Sequence, residues 1–137
     1  MAKVTVGQWV AKSLDRLDAV WRQSAQDVAI EVQTPQSKGG RLPVDTSFLR
    51  NSFAAANGTV PTAPSVKPES FTRKDYNFSP VAVVLTQAKM GDTVVFGWGA
   101  TYAIDMEARY SFVRHGVQRW DQIVSKAARK VKARVTG

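Results

Sequence analysis

Cysteine is absent from this 137-residue chain, and histidine occurs once. Without thiols there is neither a disulfide framework nor a thiolate metal site, a composition that suits a reducing cytoplasm. The lone His115 has no second His or Cys within ligand spacing, and its neighbour Arg114 disfavours a cation beside it. Long apolar runs are missing as well. No stretch approaches the roughly 20 apolar residues of a membrane span, and the first residues lack the apolar run of a signal peptide, so a soluble protein made in the cytoplasm is expected. No glycine-rich phosphate loop of the Walker type occurs, and Gly97-Trp98-Gly99 lacks the strand–turn–helix setting of a dinucleotide site. Asp105 and Glu107 stand two apart, which on a helix turns them in different directions and argues against a catalytic pair. The inventory points away from an enzyme and away from any cofactor or metal.

What is present is charge, aromatic residues and helical periodicity. The length is that of a single domain, expected over residues 1–137. The formal charge is +8, and residues 109–137 hold eight basic side chains against Asp121 alone, a net +7. Any question of a polyanionic partner is therefore a question about the last segment.

Over Val6–Val32, the residues Val10, Leu14, Leu17, Trp21 and Val28 recur at the spacing of one helix face, widened by Trp9, Val20 and Ala25. Lys12, Asp15, Arg16, Asp18, Arg22 and Asp27 alternate in sign and read as a solvated face. The expected element is a long amphipathic helix that buries Trp21 in the core or a subunit contact, ended by Pro35 and Ser37-Lys38-Gly39-Gly40. Asp45-Thr46-Ser47 can cap a short turn at Phe48–Ala55, with Phe48, Leu49 and Phe53 inward. That segment has a second reading as a strand. Arg50 offers a planar fork of donors, either for a local pair with Asp45 or for a contact across a subunit boundary.

Residues 57–80 contain Pro61, Pro64, Pro68 and Pro80, so regular structure is not expected through most of them. Phe71, Tyr76 and Phe78 make the run more apolar than a linker needs, which fits an arm that orders against a neighbour, or else a mobile loop. Val81–Thr86 and Thr93–Trp98 are rich in β-branched and aromatic residues around Lys89-Met90-Gly91-Asp92, the pattern of a hairpin. A helical turn at Thr101–Ala108 follows. A last helix is expected from about Phe112 to Arg134, with Val113, Val117, Trp120, Val124, Ala127 and Val131 inward. The fold class is α+β: a long N-terminal helix, a small antiparallel sheet on the 81–98 hairpin, and a C-terminal helix packed against it.

Two segments carry more than periodicity. Pro43, Val44, Asp45, Thr46, Leu49, Arg50 and Ser52 match a Pro-Val-Asp-Thr-Gly-x-Leu-Arg-x-Ser pattern, with Ser47 where glycine is usual. Tyr102, Ala103 and Glu107 match a Gly-x-x-x-x-Tyr-Ala-x-x-x-Glu pattern about fifty residues later. Together they resemble the neck and tail-completion (head–tail joining) proteins of long-tailed double-stranded DNA bacteriophages. The usual Pro-Phe-Leu-Arg-Pro-Ala ending of those proteins is reduced here to Ser111-Phe112-Val113-Arg114-His115, without either proline.

The resemblance implies a structural virion protein of the neck or head-proximal tail end, assembled in the host cytoplasm. It implies an oligomeric ring, most simply a hexamer, that meets the head connector on one side and tail terminator or tube proteins on the other. Asp45, Arg50, Phe71, Tyr76, Tyr102 and Glu107 are then expected at subunit or partner contacts. Arg119, Lys126, Arg129, Lys130 and Arg134 would line a channel for DNA or meet an acidic neighbour. The competing reading is a stand-alone basic nucleic-acid-binding protein, with salt-sensitive affinity for phosphates. A solvated cationic face that meets nothing is the simplest reading of the same residues.

Overall fold

The computed structural model describes residues 5–136, with side chains through Arg134, so residues 1–4 and 137 of the expected domain lie outside the described residues. The architecture is mixed α+β, as the periodicities predict. Helix α1 runs Val6–Val32, and a 3-10 turn follows at Gln36–Lys38. Then come α2 (Phe48–Asn51), β1 (Phe53–Asn57), α3 (Ser79–Gln87), β2 (Val94–Trp98), α4 (Ala103–Tyr110), α5 (Phe112–Gln118) and α6 (Trp120–Thr136).

Helix α1 begins with a reciprocal cap: the Thr5 hydroxyl accepts from the Gln8 N–H at 3.1 Å, and Gln8 Oε1 accepts from the Thr5 N–H at 3.0 Å. Its C-terminal half is the spine of the domain. Ala25, Val28, Ala29 and Val32 share one core with Phe53 of β1, Val81 and Leu85 of α3 and Ile123 of α6. Helix α5 crosses the same end of α1, where a Cβ on Gly116 would collide with the Val32 side chain. Only glycine permits that approach.

The sheet is two-stranded and antiparallel, but its first strand is not the expected one. Phe53 pairs with Trp98 and Asn57 with Val94, so the alternative strand reading of the signature's end is the correct one for Phe53–Ala55. Val81–Thr86 is helical instead of being the first strand of a hairpin. Two local facts override the β-branched propensity. Pro80 lies in the first turn, where a missing N–H costs nothing, and Asn77 Oδ1 accepts from the Ser79 N–H at 3.0 Å. Val81, Leu85 and Ala88 are then buried at spacings of four and three, which is a helix face.

The expected last helix is two helices, broken at Arg119 (φ −92°, ψ 9°). The break resets the phase. Ile123, Ala127 and Val131 face α1, whereas Val117 and Trp120 of the expected stripe are 58% and 42% exposed. Trp21 is half-buried, and the N-terminal stripe of α1 behaves differently from its C-terminal half: Val6, Trp9, Val10, Leu14 and Leu17 are all exposed. Among the described residues no helix is long and apolar enough to cross a membrane.

Candidate functional site

The two motif segments, fifty residues apart in sequence, meet in space. Leu42, Phe48 and Leu49 form a second core with Ala100 and Phe112, flanked by Trp98, Ala103 and Met106. Tyr102 sits at its edge, with its hydroxyl hydrogen-bonded to the Leu49 backbone and the Thr46 side chain and with Asp45 nearby. Burial is the largest influence on that phenol and raises its pKa; the two hydrogen bonds lower it. Glu107 closes the segment. Its carboxylate accepts from the Val113 N–H at 2.7 Å and the Arg114 N–H at 3.1 Å, which supplies the start of α5 with acceptors that the left-handed Ser111 (φ 54°) does not provide.

Ser47 stands at φ 68°, a left-handed conformation in which glycine is unstrained and any other residue costs about 1–2 kcal/mol. Its hydroxyl offsets part of that cost by accepting from the Lys74 N–H at 3.0 Å. The expected cap on the following turn is only partial: Thr46 Oγ1 lies 3.4 Å from the Phe48 N–H, and the Ser47 side chain caps nothing.

Arg50 does not pair with Asp45, which is exposed; no such ion pair occurs among the described residues. Its Nε donates instead to the Gln33 carbonyl at 2.9 Å, while Gln33 Nε2 donates to the Arg50 carbonyl at 2.8 Å. Gln33 Oε1 accepts from Trp98 Nε1 at 2.8 Å. The physical reason is competition: two part-buried carbonyls at the end of α1 and in the motif lose more by going unpaired than an exposed carboxylate gains from a solvent-screened partner. Gln33, fully buried, is thus a junction of α1, the first motif and β2. Sequence reasoning passed over it, because a glutamine at a helix end carries no pattern signal.

The Pro-rich segment is anchored to its own domain at several points. Phe71 packs edge-on to Phe48 with ring centroids 5.3 Å apart, and Tyr76 donates to the Phe53 carbonyl at 2.7 Å. Asn51 Nδ2 donates to the Lys74 carbonyl at 3.0 Å, and the Thr101 N–H donates to the Ser65 carbonyl at 3.0 Å. A Cβ on Gly99 would reach within 2.6 Å of the Ala63 carbonyl oxygen, so the chain passes over β2 only because a glycine lies beneath it. Phe71 and Tyr76 serve internal contacts. Between Ser65 and Phe71, Val66–Ser70 is exposed.

The basic set divides into two groups. Arg119 pairs with Glu31 at 2.7 Å, Lys130 with Asp27 at 3.1 Å, and Arg134 donates to Gln23 Oε1 at 2.9 Å. Arg119 ties the break before α6 to α1, and Lys130 and Arg134 tie α6 itself to α1. Lys126 and Arg129 are exposed and carry no hydrogen bond or ion pair among the described residues, beside a groove of about 660 Å³ between the two helices. His115 Nε2 lies 3.6 Å from Glu31, the same carboxylate that holds Arg119. No cluster of three or more metal-ligating side chains occurs among the described residues.

Comparison of the chain with protein-family models, with curated proteins and with solved structures finds no match.

Proposed function

We propose that the chain is a structural subunit of a phage neck or head-proximal tail end, forming a ring that joins the head connector to the tail tube. The observation that carries this reading is the convergence of the two motifs. Tyr102, Ala103 and Glu107 pack against, bond to or cap the same small core as Thr46, Phe48 and Leu49, so the matched residues behave as one structural unit. Their polar atoms serve loop shape: Glu107 accepts from the first N–H groups of α5, and Ser47 accepts from the Lys74 N–H. Lys126 and Arg129 remain for an acidic neighbour or a DNA channel.

The nucleic-acid-binding alternative draws on the same basic segment, of which Arg119, Lys130 and Arg134 are engaged with α1, and it leaves the convergence of the two motifs without a role. An early stop codon in this reading frame, within a phage or prophage that encodes it, tests the proposal. DNA-filled heads and separate tails are expected, restored to joined particles when the chain is supplied in trans. Joined, infectious particles without the chain would reject the reading.

A further inference from the structure

Three stretches that lie apart in sequence close around one polar pocket. The turn after α1 supplies Ser37 and Lys38, the first motif supplies Ser47 and Arg50, and the Pro-rich segment supplies Arg73 and Lys74. The volume is about 380 Å³. Four cations line it against one carboxylate, Asp75, and no ion pair joins Asp75 to any of them among the described residues. Holding like charges together without a counter-ion costs free energy until an anion enters.

Two donors in this pocket are fixed by the fold. Arg50 Nε is bonded to the Gln33 carbonyl at 2.9 Å, which sets the plane of the guanidinium. Its two terminal nitrogens carry no hydrogen bond or ion pair among the described residues, and no described side chain buries an unpartnered nitrogen or oxygen, so both face open volume. Ser47 is only 5% exposed. Its Oγ accepts from the Lys74 N–H at 3.0 Å, which leaves the hydroxyl proton with no acceptor among the described residues. A buried hydroxyl proton and an open guanidinium edge in one pocket are donors that lack an acceptor. Lys38 and Arg73 are exposed, with no side-chain bond or ion pair among the described residues, and Lys74 Nζ lies 5.4 Å from the centre of the Phe71 ring.

We propose that this pocket binds a phosphate dianion, either free or as the end of a phosphate monoester. Charge selects a dianion: even with Asp75 counted, a single carboxylate leaves cations in excess, and a dianion comes closer to balance. Geometry agrees. A carboxylate has two oxygens in one plane, which one guanidinium fork satisfies, whereas the donors here come from three chain segments and suit the oxygens of a tetrahedral group. The site stands apart from the neck reading, which neither supplies it nor needs it.

The test titrates the full-length chain in about 0.15 M sodium chloride, where exposed charges more than roughly 8 Å apart are screened. The pH is about 8, where a phosphate is mostly dianionic. Inorganic phosphate and adenosine monophosphate are the probes, acetate stands for a carboxylate, and assigned amide NMR shifts report the site. Phosphate should saturate the amides of Lys38, Ser47 and Lys74 with a Kd of about 1 mM or tighter. Lys38→Glu with Arg73→Glu should weaken it about tenfold or more. Lys126→Glu with Arg129→Glu makes the same change in net charge at the α1–α6 groove and should leave the Kd within about twofold. Amide dispersion shows whether both double variants are folded. Adenosine monophosphate bound no tighter than phosphate assigns the free ion, and tighter binding assigns a monoester; either upholds the site. Acetate bound as tightly as phosphate would overturn the proposal in favour of a protein carboxylate. Equal weakening by the two double variants would also overturn it, reducing the effect to diffuse charge, and so would a lack of saturation at about 10 mM phosphate.

Discussion

Gln33 and Arg50 are bonded to each other twice, each side chain donating to the other's backbone carbonyl, at 2.8 and 2.9 Å. The pair spans 17 residues of sequence and fastens the end of α1 to the first motif. Because Gln33 Oε1 also accepts from Trp98 Nε1, the same amide reaches β2 and the boundary between the two cores.

Gln33→Leu keeps the volume and removes both side-chain bonds. The Arg50 carbonyl would then lose its side-chain donor and the Trp98 indole N–H its acceptor, and each such loss costs about 1–3 kcal/mol where water cannot enter. The variant should lose roughly 2–4 kcal/mol of unfolding free energy, measured by urea denaturation. A loss below 1 kcal/mol would mean that water replaces the amide and that the junction is not dry.

Asp45 and Arg50 should be energetically independent. Asp45 is exposed and lies near Tyr102, whereas Arg50 is engaged with the Gln33 carbonyl. Asp45→Ala should shift stability by less than about 0.5 kcal/mol, and Arg50→Ala should cost about 1–3 kcal/mol, the range for a charge-assisted bond. A double-mutant cycle should return a coupling near zero. Coupling above 1 kcal/mol would restore a direct clasp between them.

How legible this fold was depends on whether a residue's role is set by its own segment. The bounds of α1 follow from a 3.6-residue period stopped by Pro35, and they match the structure. Val81-Ala82-Val83-Val84-Leu85 has no clean period of either kind, and the helix was decided by Pro80 and by the burial of Val81 and Leu85 against α1. Trp120 fits the stripe of an unbroken helix, but a break at Arg119 hands its place to Ile123. The partners of the site residues were legible least of all. Gln33 gains its role only when folding brings Trp98 and Arg50 to it from 65 and 17 residues away.

Tyr76 makes stability sensitive to alkali. Burial holds its phenol above the ordinary value of 10.0, with the Arg50 cation pulling the other way. A folded-state pKa raised above the unfolded one means that the unfolded chain releases its proton first. The contribution is complete below about pH 10 and is lost as pH rises through the folded value. Tyr76→Phe keeps the ring against Phe53 and Phe78 but loses the 2.7 Å bond to the Phe53 carbonyl. It should cost about 0.5–1.5 kcal/mol at neutral pH and show a shallower alkaline loss. Some loss will remain from Tyr102, which burial raises in the same direction. An alkaline limb as steep as that of wild type would show that Tyr76 does not carry the effect.

The cations of α6 should separate into a stability group and an assembly group. Lys130 faces Asp27, whose side chain is only 17% exposed, so Lys130→Glu sets two carboxylates together on the α1–α6 contact. A partly exposed pair is worth about 0–1 kcal/mol, and repulsion adds to its loss; a drop of roughly 1–2 kcal/mol is expected. Lys126 and Arg129 have no such partner among the described residues, so reversing both to Glu should leave unfolding free energy within about 0.5 kcal/mol of wild type. If those two meet DNA or an acidic neighbour, the double reversal should nevertheless lower the yield of joined particles at least tenfold. Normal yield from a stable Lys126→Glu, Arg129→Glu chain would return them to a solvated face that aids solubility. Equal destabilisation by the two sets of changes would mean that all the cations brace α6 against α1.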